Sequence, residues 1–171
     1  TGLTWVNPSP NMRSPTEAML YPGVGLLEFC AVSVGRGTET PFEIVGAPYV
    51  KDESSLAAEL NGLGLGGVRF DPVRFTPEVS VFEGESCGGV KIRLTDPAKL
   101  RPLDLGIALA KVFYLRYPDS LKLREKFNTL LKHSPTLEAV AEGKPMGEIR
   151  TLWEPALTDF KTRRAPYLLY P

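Results

Sequence analysis

The chain has 171 residues, with 20 lysines and arginines against 20 aspartates and glutamates, so its formal charge is zero. Hydrophobic residues make up 43% and charged residues 23%, which is typical of a folded domain and excludes a disordered or fibrous chain. No apolar run approaches the roughly 20 residues needed to cross a bilayer, and no basic segment precedes an apolar one as in a signal peptide. Since no cluster of cations is available to meet phosphates, we do not expect a nucleic acid partner.

Glycine and proline are frequent and indicate many turns. The chain has 16 of each, whereas average usage would give roughly 20 of the two together. Prolines at 8, 10 and 15 predict an ordered loop over residues 1–16 rather than a helix or strand. Thr1 is not a methionine and leads straight into this loop, so we expect the chain to be the later part of a longer protein.

The middle of the chain has the alternation and turn signals of short strands. Strands are predicted at 32–34, 42–45, 68–75 and 90–94, and helices at 17–20 and 52–61. Ser14 or Thr16 is expected to cap the first helix, and Pro22 to interrupt it.

Helical spacing dominates from Pro102 onward. Helices are predicted at 105–117, 121–131, 135–141 and 149–160, the last kinked by Pro155, with a terminal strand at 167–170. Strands followed by helices predict an α+β fold with a mixed sheet and with helices concentrated in the second half.

We interpret residues 1–171 as a single domain with three regions of different character. Residues 1–48 are rich in motifs and loops, residues 49–101 hold strands with one helix, and residues 102–171 are mainly helical.

Several residues that often carry chemistry have a simpler interpretation here. The glycines at 62, 64 and 67 match a dinucleotide fingerprint, but a helix precedes them, so we expect a helix end and a turn. Cys30, Cys87 and His133 are too few for a zinc site, and His133 is expected in an exposed loop. The two cysteines could form a disulfide or remain buried thiols. No metal or cofactor is expected.

A dense set of polar and small residues lies between Ser33 and Glu43. Glycines flank Arg36 and free the backbone, so its guanidinium could present two donors to an anionic or polyhydroxylated ligand, with Ser33, Thr38 and Glu43 beside it. The alternative is a tight turn in which Arg36 pairs with Glu28 or Glu43. The residues alone leave both interpretations open.

Four segments resemble a known bacterial family. They are Trp5-Val6-Asn7-Pro8-Ser9-Pro10-Asn11-Met12, Leu20-Tyr21-Pro22-Gly23, Ser33-Val34-Gly35-Arg36-Gly37-Thr38 and Gly84-Glu85-Ser86-Cys87-Gly88-Gly89-Val90. In this order they are similar to the NamZ-type exo-β-N-acetylmuramidases, once known only as a domain of unknown function. The resemblance implies the C-terminal domain of a larger two-domain protein, with a Rossmann-like N-terminal domain missing here and the active cleft between the two.

The resemblance also implies a substrate. Members of the family remove N-acetylmuramic acid from the non-reducing end of peptidoglycan fragments, so the expected ligand is a muropeptide or a disaccharide. Its lactyl carboxylate would give Arg36 an anion to bind. By the same resemblance, the expected substrate-binding residues are Ser9, Asn11, Ser33, Arg36, Thr38 and Glu43. Glu28 is the candidate catalytic carboxylate, either as an acid or base or as a partner that orients Arg36.

The chain departs from the family pattern in two places. Phe29-Cys30-Ala31 stands where the family commonly has Gly-Thr-Asn, and Phe127-Asn128 where an aspartate often follows the phenylalanine. The first change lies inside the expected site and predicts altered specificity or lower activity.

Two other functions fit the same residues. A cell-wall sugar-binding module would bind the ligand without turnover, and a structural domain would use the Arg36 loop only to hold an interface. The isolated chain is expected to be inactive and to expose an apolar surface near Trp5, Tyr21 and Pro22. The compartment stays open, since periplasmic, secreted and lipid-anchored forms of a full-length protein are all compatible with the sequence.

Overall fold

The computed structural model describes residues 3–170, so the expectation drawn from Thr1 lies outside it. The strands are β1 (Ile44–Ala47), β2 (Val68–Phe75) and β3 (Cys87–Leu94). The helices are α1 (Pro15–Val24), α2 (Glu53–Gly62), α3 (Pro102–Arg116), α4 (Pro118–Leu121), α5 (Leu123–Lys126), α6 (Asn128–Leu131), α7 (Ser134–Ala141), α8 (Met146–Thr151) and α9 (Glu154–Arg164). This arrangement confirms the α+β class, with helices concentrated in the second half.

The strands form an antiparallel sheet within residues 3–170, with β3 in the centre and the order β1-β3-β2. Phe70 of β2 lies opposite Ile92 of β3, and Val45 of β1 lies opposite Val90. The prediction of a mixed sheet was wrong, because both neighbours of β3 run antiparallel to it and no parallel crossover is built.

The hydrophobic core is one cluster to which the sheet, α1, α2 and α3 all contribute, with α2 packed on β2 and β3 and with α1 packed on α3. Helix α3 buries most of its length, as its nearly continuous apolar sequence predicts. Helix α1 crosses α3 at a pair of glycines, Gly23 and Gly106, where the two backbones touch. A Cβ atom added at Gly23 would collide with the carbonyl group of Pro102. The core therefore depends on a close approach that only glycine permits at this crossing.

The first helix begins as predicted but ends later. The Ser14 hydroxyl accepts a hydrogen bond from the Glu17 amide, and the Glu17 carboxylate accepts one from the Ser14 amide, which is a capping box. Pro22 does not interrupt the helix, which continues to Val24 and passes into a 3₁₀ turn over Gly25–Leu27. Packing against α3 holds this turn of helix despite the hydrogen bond that proline cannot donate.

The predictions for the second half hold for α3 and α7 and fail in detail elsewhere. The predicted helix at 121–131 is broken into short pieces: Lys122 adopts left-handed backbone angles between α4 and α5, and Phe127 separates α5 from α6. Lys132, also left-handed, ends α6. The stripe at 149–160 is divided between α8 and α9, with Pro155 in the first turn of α9. The predicted strand at 167–170 is absent from the described structure, where a 3₁₀ turn over Ala165–Tyr167 is followed by exposed chain.

The isolated cysteines and histidine have structural roles. Cys30 and Cys87 are free thiols, and both are buried. His133 was expected in an exposed loop, but it is half-buried and caps α7, where its Nδ1 atom lies 2.7 Å from the Thr136 hydroxyl. The glycine series ends α2 at Gly62 and turns the chain through left-handed angles at Gly64 and Gly67, as expected.

Candidate functional site

A cleft of about 220 Å³ opens beside the loop that follows α1. Its lining residues are Glu28, Phe29, Val32, Ser33, Val34, Arg36, Ser80 and Val81. Two distant segments form its walls, residues 28–36 and residues 80–81. The cleft therefore exists only in the folded domain, because about 45 residues of chain separate its two sides.

The first wall is held by backbone hydrogen bonds and by glycine geometry. Ser33 pairs with Gly46 of β1 through two backbone hydrogen bonds of 2.8 and 3.0 Å, which attaches the wall to the sheet. Gly35 and Gly37 have φ angles of 82° and 77°, in the left-handed region. Arg36 is thereby carried at the tip of a sharp turn, and it is part of the lining of the cleft.

Arg36 and Glu28 form the charged centre of the cleft. The Arg36 Nε atom donates to Glu28 Oε1 at 2.6 Å, and the Nη2 atom lies 2.5 Å from the same oxygen. The Arg36 guanidinium also lies over the Phe42 ring, 5.3 Å from its centroid. Tyr21 packs edge-on against Phe42, with the ring centroids 4.8 Å apart, so the ring below the guanidinium is itself held by a neighbour. Two groups therefore hold Arg36 in one orientation.

The second wall is a loop over residues 77–84 that local sequence patterns did not mark as part of the site. The Glu78 amide donates to the Gly37 carbonyl at 2.8 Å, which brings the loop against the Arg36 turn. Ser80 and Phe82 adopt left-handed φ angles of 79° and 63°. Phe82 packs edge-on against Tyr49, and this contact anchors the loop to the core. The loop becomes part of the site only through its contact with the Arg36 turn, and no residue near it in the chain indicates that contact.

A second cleft of about 300 Å³ is lined by Gly37 and Val79, which lie close to each other, and by residues on either side of them in the chain. Arg13 stands on its edge and joins segments that are far apart in the chain. Its Nε atom donates to the Pro10 carbonyl at 2.9 Å, and its Nη2 atom donates to the Thr38 carbonyl at 2.9 Å. Arg13 thus connects the first motif to the Arg36 loop, a role that no local sequence pattern around Arg13 indicates.

The predicted site residues are divided between these places. Glu28, Ser33 and Arg36 line the first cleft, and Thr38 lines the second. The hydroxyl groups of Ser33 and Thr38 are used within the loop, since the first accepts from the Gly35 amide and the second donates to the Gly35 carbonyl. Both hydroxyls therefore shape the loop in the structure described.

The other predicted residues lie outside the linings of the two clefts. Ser9 and Met12 close a turn in which the Asn11 amide donates to the Ser9 hydroxyl at 3.2 Å. Glu43 precedes β1 on the side of Lys91 and Glu17. Trp5 and Tyr21 are 37% and 40% exposed, and the extended apolar surface expected around them stays a prediction.

The effect of burial on the Glu43 carboxyl group can be tested by measuring stability as a function of pH. Burial raises the pKa of its carboxyl group, Lys91 opposes the shift, and Glu17 adds to it. The folded chain therefore binds a proton more tightly than the unfolded chain, and stability falls as pH rises from about 4.3 through the folded pKa. We expect Glu43→Gln to unfold at higher urea concentration than the unmodified chain at pH 7.

The advantage of Glu43→Gln should disappear below about pH 4, where both folded and unfolded carboxyls are protonated. Urea midpoints at pH 4 and pH 7 measure it, and Glu39→Gln, at a side chain that is 97% exposed, controls for the loss of one negative charge. A Glu43→Gln protein that is less stable at pH 7 would show that the charged form of Glu43 stabilises the fold.

Residues 3–170 contain no group of histidine, cysteine or acidic side chains arranged to hold a metal ion. Among the helices described there, none is both long and apolar enough to span a bilayer.

The fold and the clefts define a class: an α+β domain with a cleft that loops form around an arginine–glutamate pair. The chain belongs to the family described as "Exo-beta-N-acetylmuramidase NamZ, C-terminal", whose sequence profile matches residues 19–170. The resemblance seen in the sequence is thereby confirmed.

Relatives agree over almost the whole chain. A Bacillus subtilis (strain 168) protein named "Peptidoglycan beta-N-acetylmuramidase NamZ" is 34% identical over 172 residues, which is 99% of this chain and 41% of the relative. Two crystal structures of DUF1343 family proteins from Bacteroides fragilis NCTC 9343 have TM-scores of 0.79 and 0.69, at 26% and 28% identity. They cover 99% and 95% of this chain, but only 46% and 43% of their own chains. The chain thus spans less than half the length of these relatives.

Proposed function

We propose that this chain is the substrate-recognition part of a glycoside hydrolase that removes N-acetylmuramic acid from peptidoglycan fragments. The observation that carries the proposal is the Arg36–Glu28 pair, fixed in an open cleft of a domain from this family. The ligand would be a muropeptide or a disaccharide, and a wall-derived substrate favours a full-length protein that works outside the cytoplasm.

The geometry of Arg36 suits it to recognise a carboxylate. Its Nε and Nη2 atoms are held by Glu28, and within residues 3–170 no partner is found for Nη1. The side chain is 37% exposed, so a ligand can reach it from the cleft. A guanidinium already oriented by Glu28 and Phe42 loses little further conformational freedom when it binds an anion. The lactyl carboxylate of N-acetylmuramic acid is the anion that we assign to it.

Hydrolysis needs more than this cleft supplies. Cleavage of a glycosidic bond usually uses two carboxyl groups on opposite sides of the scissile bond. Glu28 is the acidic residue in the lining of the first cleft, and its Oε1 atom is occupied by Arg36. We therefore assign at least one catalytic carboxyl group to the part of the full-length protein outside this chain, with the substrate bound between the two parts.

The test compares Arg36→Lys with the unmodified full-length protein on substrates with and without the lactyl group. Lysine keeps the positive charge but loses the fork of donors, so it should bind a carboxylate less well. We expect kcat/KM on the lactyl-bearing substrate to fall about 10- to 100-fold, which corresponds to the 1.5–3 kcal/mol typical of a hydrogen bond to a charged group. The substrate without the lactyl group should be affected much less.

An equal loss on both substrates would contradict the assignment. Arg36 would then serve only to hold its own loop. Circular dichroism and thermal midpoints of the two proteins show whether the fold survives the substitution.

Binding without turnover is the second candidate function, and two observations favour it. Glu28 is engaged by Arg36, and Phe29, which by the resemblance stands where the family has a small residue, lines the same cleft. Turnover of a chromogenic N-acetylmuraminide by the full-length protein decides between the two functions. Saturable binding of muropeptides with no release of the chromophore would establish a sugar-binding module.

A further inference from the structure

The last part of the chain has no buried residue. Residues 154–170, which we call the terminal arm, comprise α9, the 3₁₀ turn and the chain that follows, and every residue in the arm is exposed. Large apolar side chains of the arm are Leu157, Phe160, Tyr167, Leu168, Leu169 and Tyr170. Leu169 is 90% exposed, although this residue type is among those most often buried.

Such an arm is not stable by its own sequence. Helix α9 has 11 residues, and isolated helices of fewer than about 12–15 residues are marginal in water. A surface helix normally gains its stability from an apolar stripe that packs on the core. Leu157 and Phe160 are three residues apart and lie on one side of α9, where they form such a stripe, but both remain exposed.

The arm nevertheless belongs to the domain. The family profile extends to residue 170, and the Bacteroides fragilis structure with a TM-score of 0.79 covers 99% of the chain. A segment retained in both comparisons is part of the family fold rather than an incidental tail. Something outside residues 3–170 must therefore cover its apolar side chains.

The length of the relatives favours one occupant for this surface. More than half of each relative lies outside the region matched by this chain. A surface in the same polypeptide is present at an effective concentration in the millimolar range, so it can order a weak helix. A second copy of the chain would instead have to overcome the loss of translational and rotational freedom on association.

We propose that the terminal arm packs on the part of the full-length protein outside this chain and fastens the two parts together. The complementary surface is an apolar groove that receives Leu157 and Phe160. Carboxylates at the rim of that groove would meet Lys161 and Arg164, for which no acidic partner is found within residues 3–170. The inference does not depend on the reaction that the protein catalyses.

The experiment compares two lengths of the protein, the 171-residue chain and the full-length gene product. Hydrogen exchange is measured on both, and we expect the amides of α9 to exchange at least 100-fold more slowly in the full-length protein. Leu157→Asp is then made in both lengths. Leu130→Asp is the matched control, because Leu130 and Leu157 are each 41% exposed and only Leu157 lies in the arm.

Leu157→Asp should lower the thermal midpoint of the full-length protein by about 4 °C or more, and that of the 171-residue chain by less than about 2 °C. Leu130→Asp should have the same small effect in both. Equal exchange of α9 in the two lengths, or a gene product no longer than 171 residues, would overturn the proposal. So would dimerisation of the 171-residue chain that Leu157→Asp abolishes, because the arm would then bind a second copy. Turnover is not measured, so these outcomes are independent of the proposed function.

Discussion

Replacing Glu28 with glutamine is expected to destabilise the domain by about 1–2 kcal/mol. Turnover by the full-length protein should fall by much less than the roughly 100-fold that is expected when a general acid is removed. The Oε1 atom of Glu28 holds both Nε and Nη2 of Arg36, so its charge serves to orient the guanidinium. We expect a smaller loss of stability than for a fully buried ion pair, because the Arg36 side chain is 37% exposed and water screens the charges.

Glu53→Gln is the matched control for this result. Glu53 pairs with Arg74 and its side chain is 18% exposed, compared with 16% for Glu28, but it lies outside the linings of both clefts. It should cost similar stability in urea unfolding and leave turnover unchanged. A 100-fold loss of turnover in Glu28→Gln with no change in the unfolding midpoint would instead make Glu28 the acid or base of the reaction.

Gly23→Ala should have the largest effect on stability of the substitutions considered, about 2–3 kcal/mol, or a fall of roughly 5–10 °C in the thermal midpoint. The added methyl group has no space, because the Pro102 carbonyl and the Gly106 backbone already contact Gly23. Helices α1 and α3 would have to separate, and the buried Leu20 and Val24 would lose contacts with α3.

Gly62→Ala controls for the gain in helix propensity. Gly62 ends α2, is exposed, and has no heavy atom within 4 Å of the position of an added Cβ. Alanine there should leave the free energy of unfolding unchanged or raise it by up to about 1 kcal/mol. The thermal midpoint should therefore stay the same or rise slightly. If Gly23→Ala were as well tolerated as Gly62→Ala, the helix crossing would be looser than the structure describes.

Much of the fold could be predicted from local patterns. Apolar residues on nearly all sides of α3 and the alternation over residues 90–94 of β3 indicate which of their residues are buried, and the neighbouring turns delimit these elements. Prediction failed where tertiary contacts decide. Pro22 stays helical because α1 packs on α3, and residues 167–170 do not form a strand because no strand in the described chain lies beside them.

The candidate site could be predicted only in part. The glycines around Arg36 marked the turn, and Glu28 was one of two acidic partners suggested for it. The roles of Arg13 and of residues 77–84 could not be predicted, since both depend on contacts between segments more than 20 residues apart. Local patterns describe the chain within a few residues, whereas a cleft is made by segments that meet only after folding.

Because the two thiols are buried, we expect the redox potential of the surroundings to have little effect on the domain. Burial raises the pKa of Cys30 to about 12 and that of Cys87 to about 11, so almost no thiolate forms at neutral pH. Disulfide exchange requires the thiolate and access to it, and both are withheld while the core is closed. An alkylating reagent can therefore reach these sulfur atoms only when the core opens. Its rate of reaction with the two thiols thus reports how often the core opens.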